Sequence, residues 1–155
     1  MVEAPFPQRR AFITCSARAV GPVGRLLGEV EQCLLDAGWR TRLPGRFDAD
    51  PGTSLEERRR LARSAREEVA RASVVVHVPA PETISGTALH RELAQAVRHD
   101  VPIILVVAMP DRERLGIAPP LAARVKQLVE ATGAHVLERL ADLTALADTV
   151  ARKAE

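Results

Sequence analysis

The chain has 155 residues, the length of one domain, and its 46% hydrophobic and 27% charged residues exclude a disordered or fibrous protein. Its 22 basic and 20 acidic residues give a formal net charge of +2 and alternate along the helical stretches, which leaves no continuous basic track for nucleic acid. No apolar run approaches the ~20 residues of a membrane helix, and the first residues contain no apolar signal core, so we expect a cytoplasmic protein without a membrane partner.

The first half of the chain alternates between strand-like and helix-like patterns. The apolar run at residues 11–16 predicts a first strand, and apolar residues at helical spacing over residues 23–37 predict a helix. A short second strand is predicted at residues 39–43. Ser54 and Glu57 have the spacing of a capping box, so a second helix is expected to begin there.

The second half continues the alternation, and its nearly continuous run of valines is typical of a strand buried on both faces. Five strands alternating with five helices indicate an α/β protein with a doubly wound parallel sheet in the flavodoxin-like order 2-1-3-4-5. We expect residues 1–155 to form one domain, with residues 1–10 as a flexible amino terminus. The remaining strands are predicted at residues 73–78, 101–108 and 134–137, and the remaining helices at 87–99, 121–133 and 143–150.

Ligands of such sheets bind at the carboxyl ends of the strands, where the strand order reverses. In the predicted order the reversal lies between the first and third strands. The site residues are therefore expected from residues 14–24, 79–92 and 109–114.

Missing motifs exclude several classes of site. The chain contains no Gly-x-x-x-x-Gly-Lys-Ser/Thr sequence, and its first loop lacks Gly-x-Gly-x-x-Gly, which excludes a P-loop kinase and a dinucleotide-dependent dehydrogenase. A cysteine phosphatase loop is excluded because Gly21 stands where that loop needs an arginine, six positions after Cys15. Cys15 and Cys33 have no metal-ligand spacing with histidines, so we expect no metal.

Two loops carry residues suited to an anion. Ser16 and Arg18 precede a predicted helix, whose free amides and positive dipole end favour a phosphate group. Ser85, Gly86 and Thr87 offer hydroxyls and amides to a phosphate or a sugar. The alternative interpretation is that Ser16 is an ordinary turn residue and Arg18 is a solvated surface charge.

Glu92 lies in the first turns of the helix that follows the third strand, on the flank of its apolar stripe. Its carboxylate can therefore point into the cleft, or it can complement the helix dipole at the surface. His90, on the opposite flank, is expected at the surface or as a capping residue. His77, within the valine-rich strand, is expected to be a core histidine with satisfied hydrogen bonds.

Three stretches together resemble the nucleoside 2-deoxyribosyltransferase superfamily. They are Phe-Ile-Thr-Cys-Ser-Ala-Arg at residues 12–18, the valine-rich third strand, and Gly-Thr followed by Glu-Leu-Ala-Gln-Ala at residues 92–96. The similarity covers residues 11–107 and is greatest to the nucleoside 5'-monophosphate N-glycosidases, including CMP hydrolases. It implies hydrolysis of a pyrimidine nucleoside 5'-monophosphate such as CMP to free base and ribose 5-phosphate, without a cofactor, by a homodimer.

The resemblance also implies roles for individual residues. Glu92 corresponds to the nucleophile or charge stabiliser at the sugar C1', and Ser16, Arg18 and Ser85 correspond to ligands of the 5'-phosphate. Phe12 stands where the deoxynucleotide enzymes carry a tyrosine, which implies that ribonucleotides are accepted.

Two roles around the leaving base complete the predicted site. Phe12 can stack on the base or form a wall of its pocket. The group that protonates the base stays open between Glu82, His90 and a carboxylate of Glu67 or Glu68.

Two other functions share the same features. The opening Phe-Ile-Thr-Cys-Ser and the Glu-Leu-x-x-Ala helix are also similar to TIR domains, some of which cleave NAD at the same type of bond. A third hypothesis is a non-catalytic module in which the cleft binds a nucleotide or the surface self-assembles. Because these functions share one architecture, the fold does not separate them.

Overall fold

The centre of the protein, in a computed structural model, is a five-stranded sheet with the order β2-β1-β3-β4-β5, in which all neighbouring strands are parallel. The strands are β1 (Arg10–Cys15), β2 (Arg40–Arg42), β3 (Val74–Val78), β4 (Ile103–Val106) and β5 (His135–Leu137). The predicted α/β fold with flavodoxin-like strand order is confirmed. The structure describes residues 9–15, 21–42, 54–79, 91–107 and 119–154.

Helices cover both faces of the sheet. Apolar residues of α1 and α5 pack on one face, and those of α2, α3 and α4 pack on the other. None of these described helices is long and apolar enough to cross a bilayer. Their bounds are α1 (Gly21–Asp36), α2 (Leu55–Arg71), α3 (Arg91–Arg98), α4 (Pro119–Thr132) and α5 (Leu143–Ala154), with a 3-10 turn at Leu140–Asp142 before α5.

Every residue of β3 is buried, because both faces of this central strand are covered. Val74 and Val76 belong to the cluster under α1 and α5, whereas Val75 belongs to the cluster under the other three helices. Each valine buried in this way stabilises the fold by about 1.5–3 kcal/mol. The prediction of a strand buried on both faces is confirmed.

The ends of the helices follow the predicted signals. The Ser54 hydroxyl accepts a hydrogen bond from the Glu57 backbone N–H at 3.2 Å, which caps the start of α2. The Glu57 carboxylate lies 3.8 Å from Arg60. Gly38 and Gly133 follow α1 and α4 with φ of 87° and 69°, a left-handed conformation that glycine adopts without strain.

Several boundaries differ from the predictions. The strand predicted at residues 101–108 is described as Ile103–Val106, and residue 108 lies outside the described residues. The strand begins after Pro102, which has no backbone N–H for a sheet ladder and contributes only its carbonyl, which accepts from Val75 at 2.9 Å. The helix predicted at residues 87–99 is described over Arg91–Arg98, and its predicted start lies outside the described residues.

The direction of the strands defines two ends of the sheet. All strands finish at one end, called here the carboxyl end, and begin at the other, the amino end. Each helix that connects parallel neighbours runs back from the carboxyl end to the amino end. The helices α2 and α3 therefore start at the carboxyl end.

Candidate functional site

The reversal of strand order lies between β1 and β3, as predicted. Thr14 is level with His77 and Cys15 with Val78, so these two strands finish side by side at the carboxyl end. Sheets of this class bind ligands at this position. The described part of the candidate site is therefore the end of β1, the end of β3 and the first turn of α3.

Two of the predicted site residues lie in the described part of the chain, Glu92 and Phe12. The other predicted site residues lie outside the described residues: Ser16, Arg18, Glu82, Ser85, Gly86, Thr87 and His90.

Glu92 is the second residue of α3 and the acidic residue of its first turn. Its side chain is half-buried, and the adjacent Leu93 is completely buried in the core beneath α2, α3 and α4. Glu92 also takes part in a hydrogen-bonding or electrostatic interaction. The carboxylate therefore lies at the carboxyl end of the sheet, at the boundary between core and solvent, where the amides at the start of α3 favour negative charge.

Phe12 belongs to the core. Its exposed fraction is 1%, and it shares a cluster of buried residues with Val69, Val75 and Leu93. A ring packed in this way offers no face for a nucleobase to stack on. The predicted role of Phe12 as a base contact is therefore replaced by a packing role beneath the first turn of α3.

Thr14 and His77 form a buried polar pair that the sequence analysis did not single out as a pair. They are neighbours across β1 and β3, with exposed fractions of 8% and 0%. Each follows by two residues a side chain of the cluster under α2, α3 and α4, so both lie on that face. The sequence contains a signal for this placement, because residues two apart in a strand share a face, as Phe12 and Thr14 do in β1 and Val75 and His77 do in β3. The prediction that His77 is buried within its strand is confirmed.

Glu67 and Glu68, one of the three alternatives for the group that protonates the leaving base, do not lie at the candidate site. Both are in the last turns of α2, and α2 finishes at the amino end of the sheet, where Ser73 N–H donates to the carbonyl of Arg10 at 2.8 Å. Glu68 lies 3.0 Å from the Arg42 guanidinium, on the edge strand β2. Because α2 runs towards the amino end of the sheet, Glu67 and Glu68 near its end lie away from the carboxyl end.

Among the described residues there is no group of three or more histidine, cysteine, aspartate or glutamate side chains placed to hold a metal ion. Glu92 is the described carboxylate at the start of α3. The chemistry that this part of the site offers is that of a single carboxylate near a helix N-terminus, at the same end of the sheet as the buried residues Thr14 and His77.

Comparison with known proteins adds information on the fold. No protein-family model matches the chain, and no curated protein matches it. A solved structure of a conserved protein from Enterococcus faecalis V583 is similar with a TM-score of 0.50 and 12% identity, over 95% of this chain and 99% of that one.

A second similar structure is the FMN-dependent cysteine decarboxylase TvaF from thioviridamide biosynthesis. The TM-score is 0.53 at 19% identity, over 94% of this chain and 98% of the decarboxylase. At these identities the similarity supports the α/β architecture and says nothing of substrate or reaction.

Proposed function

We propose that this protein is a hydrolase that cleaves the N-glycosidic bond of a pyrimidine nucleoside 5'-monophosphate such as CMP, with Glu92 at the sugar C1'. The observation that carries the proposal is the position of Glu92, half-buried in the first turn of α3 at the carboxyl end of the sheet. The resemblance of residues 11–107 to nucleoside 5'-monophosphate N-glycosidases supports the same residue. The proposal includes a homodimer, which light scattering of the purified protein checks, and a cytoplasmic location.

The reaction needs an anionic group beneath C1'. As the bond from C1' to the base nitrogen breaks, positive charge develops on C1' and the ring oxygen, as in glycoside hydrolysis. A carboxylate stabilises this charge directly or by forming a covalent ester, which water then hydrolyses. Water supplies the hydroxyl at C1', and its proton balances the one taken up by the departing base.

Glu92 is suited to this role by its surroundings. Leu93 beside it is locked in the core, so the backbone that carries Glu92 is held by packing rather than by a mobile loop. A half-buried carboxylate also meets less screening from water than an exposed one, which strengthens its interaction with a developing cation.

Phosphate binding positions the sugar over that carboxylate. Residues 16–20 directly precede the start of α1, so Ser16 and Arg18 can supply a hydroxyl and a guanidinium beside the free amides of its first turn. Ser85 belongs to the segment between β3 and α3. Such a clamp converts binding energy of the 5'-phosphate into correct placement of C1'. Because Glu67 and Glu68 lie towards the amino end, Glu82 and His90 are the proposed donors to the leaving base.

The test is incubation of the purified protein with CMP, dCMP, other nucleoside monophosphates and NAD, followed by chromatographic detection of free base. We expect the wild type to release free cytosine from CMP. Glu92→Gln should lose this activity, and Glu130→Gln, on the exposed surface of α4, should keep it. Release of nicotinamide from NAD alone identifies the TIR-like reaction instead. Absence of any free base leaves the non-catalytic module and contradicts the proposed hydrolase.

A further inference from the structure

An open groove of about 480 Å³ lies beside the edge strand β2, towards the amino end of the sheet. This feature is called here the β2 groove. Its lining combines apolar residues with five charged ones, namely Arg10, Arg40, Arg42, Arg71 and Glu68. Its size falls within the range of ~300–1,000 Å³ found for small-molecule pockets.

Two walls carry the arginines. On the sheet side, Arg10 of β1 is level with Arg40 of β2, and Arg42 follows two residues later on the same face. On the helix side, Arg71 is in the last turn of α2, one turn after Glu68. The groove therefore has guanidinium groups on both sides of its opening.

Only one of these four arginines has an acidic partner within the described residues. Arg42 Nε lies 3.0 Å from Glu68 Oε2. In that part of the chain Arg10, Arg40 and Arg71 take part in no ion pair. Counted over the described residues, the groove thus has three arginines without an acidic partner, and all three are exposed.

The neighbouring Arg9 shows the contrast. Its guanidinium pairs with Asp148 of α5 and lies over the ring of Trp39, 5.7 Å from the ring centroid. Within the described residues, Arg9 and Arg42 thus have acidic partners, whereas Arg10, Arg40 and Arg71 have none.

The arrangement of Arg10 and Arg40 carries an energetic cost. Neighbouring strands lie about 4.8 Å apart, so two positive side chains side by side on one face repel each other and destabilise the pair of strands. The dipole of α2 favours Arg71 at its C-terminus, but neither Arg10 nor Arg40 lies on a helix. A bound anion removes this repulsion.

We propose that the β2 groove binds a ligand with two adjacent phosphate groups, either inorganic pyrophosphate or a nucleoside diphosphate. The guanidinium fork matches phosphate oxygens in bidentate geometry, and guanidinium groups on two walls match two linked phosphates better than one. The groove is at the amino half of β1, whereas Glu92 starts a helix at the carboxyl end. The inference does not depend on the proposed hydrolase activity.

The test uses titration calorimetry with inorganic pyrophosphate, ADP and orthophosphate. Trp39 is the single tryptophan of the chain and lines the groove, so its fluorescence reports binding at this place. We expect saturable binding of pyrophosphate, at least tenfold tighter than orthophosphate, with a change in Trp39 fluorescence. Tighter binding of ADP identifies a nucleoside diphosphate as the ligand, and equal binding identifies the diphosphate group alone; both support the proposal.

Variants locate the site. Arg40→Ala and Arg71→Ala are each expected to weaken pyrophosphate binding at least tenfold, while the exposed Arg139→Ala, away from the groove, leaves it unchanged. Arg40→Lys keeps the charge without the fork and is expected to fall between the wild type and Arg40→Ala. Circular dichroism verifies that each variant is folded.

The proposal is overturned by absence of pyrophosphate binding at millimolar concentration. It is also overturned if Arg139→Ala weakens pyrophosphate binding as much as the groove variants do. A third contradicting result is pyrophosphate binding that Arg18→Ala abolishes and that Arg40→Ala and Arg71→Ala leave unchanged. Glu92→Gln separates the two proposals, because it should retain pyrophosphate binding whether or not the protein hydrolyses nucleotides.

Discussion

The two ends of the sheet differ in the charge that they present and in how deeply that charge is buried. At the carboxyl end a half-buried acid, Glu92, lies in the first turn of α3, and Thr14 and His77 are buried at the same end of the sheet. At the amino end, exposed arginines surround the β2 groove. Helix dipoles favour acids at the first end and bases at the second, but they act only within one turn of a helix.

The comparison separates charge that stabilises a helix from charge that is available to a ligand. Glu56 and Glu57 also lie in a first helical turn, but they are exposed, whereas Glu92 is half-buried. Similarly, Arg71 complements the end of α2, whereas Arg10 and Arg40 lie side by side on strands where no dipole favours them. The interaction of charges with helix dipoles does not explain why Glu92 is half-buried at the carboxyl end. It also does not explain why Arg10 and Arg40 lie side by side at the amino end.

The largest effect is expected from Glu92. Glu92→Gln removes the negative charge with little change in shape, and turnover of CMP should fall by about 10³-fold or more, since one lost electrostatic contact at a transition state costs ~10²–10³. Steady-state rates measured by release of cytosine check this. The thermal midpoint should match that of Glu130→Gln. Full activity in Glu92→Gln together with its loss in His90→Ala would assign the central role to His90.

Phe12 lies between the two ends, and its packing role predicts a large loss of stability. Phe12→Ala should lower the free energy of unfolding by about 3–5 kcal/mol, because it removes a fully buried ring. Urea denaturation measures this loss. Phe12→Tyr buries a hydroxyl and should cost ~1–3 kcal/mol while leaving the ratio of CMP to dCMP turnover unchanged. If Phe12→Tyr changed the ratio of CMP to dCMP turnover without loss of stability, Phe12 would contact the substrate after all.

Phosphate binding at the carboxyl end gives a smaller effect. Arg18→Ala should raise KM for CMP by about 10–100-fold, since a hydrogen bond to a charged group contributes ~1.5–3 kcal/mol. Cytidine, which has no phosphate, should be hydrolysed poorly by both proteins, and its KM should not respond to the substitution. Equal efficiency on cytidine and CMP in the wild type contradicts a phosphate clamp.

The smallest effect is expected at the amino end, and its sign is opposite. Arg40→Gln removes the repulsion with Arg10 and should raise the free energy of unfolding by about 0.2–1 kcal/mol at low salt. The gain should shrink at high salt, where the repulsion is screened. Arg139→Gln is the matched control and should leave stability unchanged. A loss of stability in Arg40→Gln would show that Arg40 already has an anionic partner within the protein.

Most of the fold could be predicted because its signals are local. The valine run of β3, the cap at Ser54 and the glycines after α1 and α4 each act within one or two turns of chain, and all are present in the structure. The site could be predicted only as a region. The rule that places ligands at the reversal of strand order gives a position in the sheet but no contact between particular side chains.

The period of apolar residues by itself determined the alternation of strands and helices and the place of Glu92 near the start of a helix. The strand order was predicted from the general rules for parallel α/β sheets rather than from that period. Tertiary structure alone decided that Phe12 is buried and that Glu67 and Glu68, in the last turns of α2, lie away from the carboxyl end. It also decided that Arg10 stands beside Arg40. These outcomes depend on the register and direction of segments far apart in the chain, where long-range packing rather than local propensity sets the free energy.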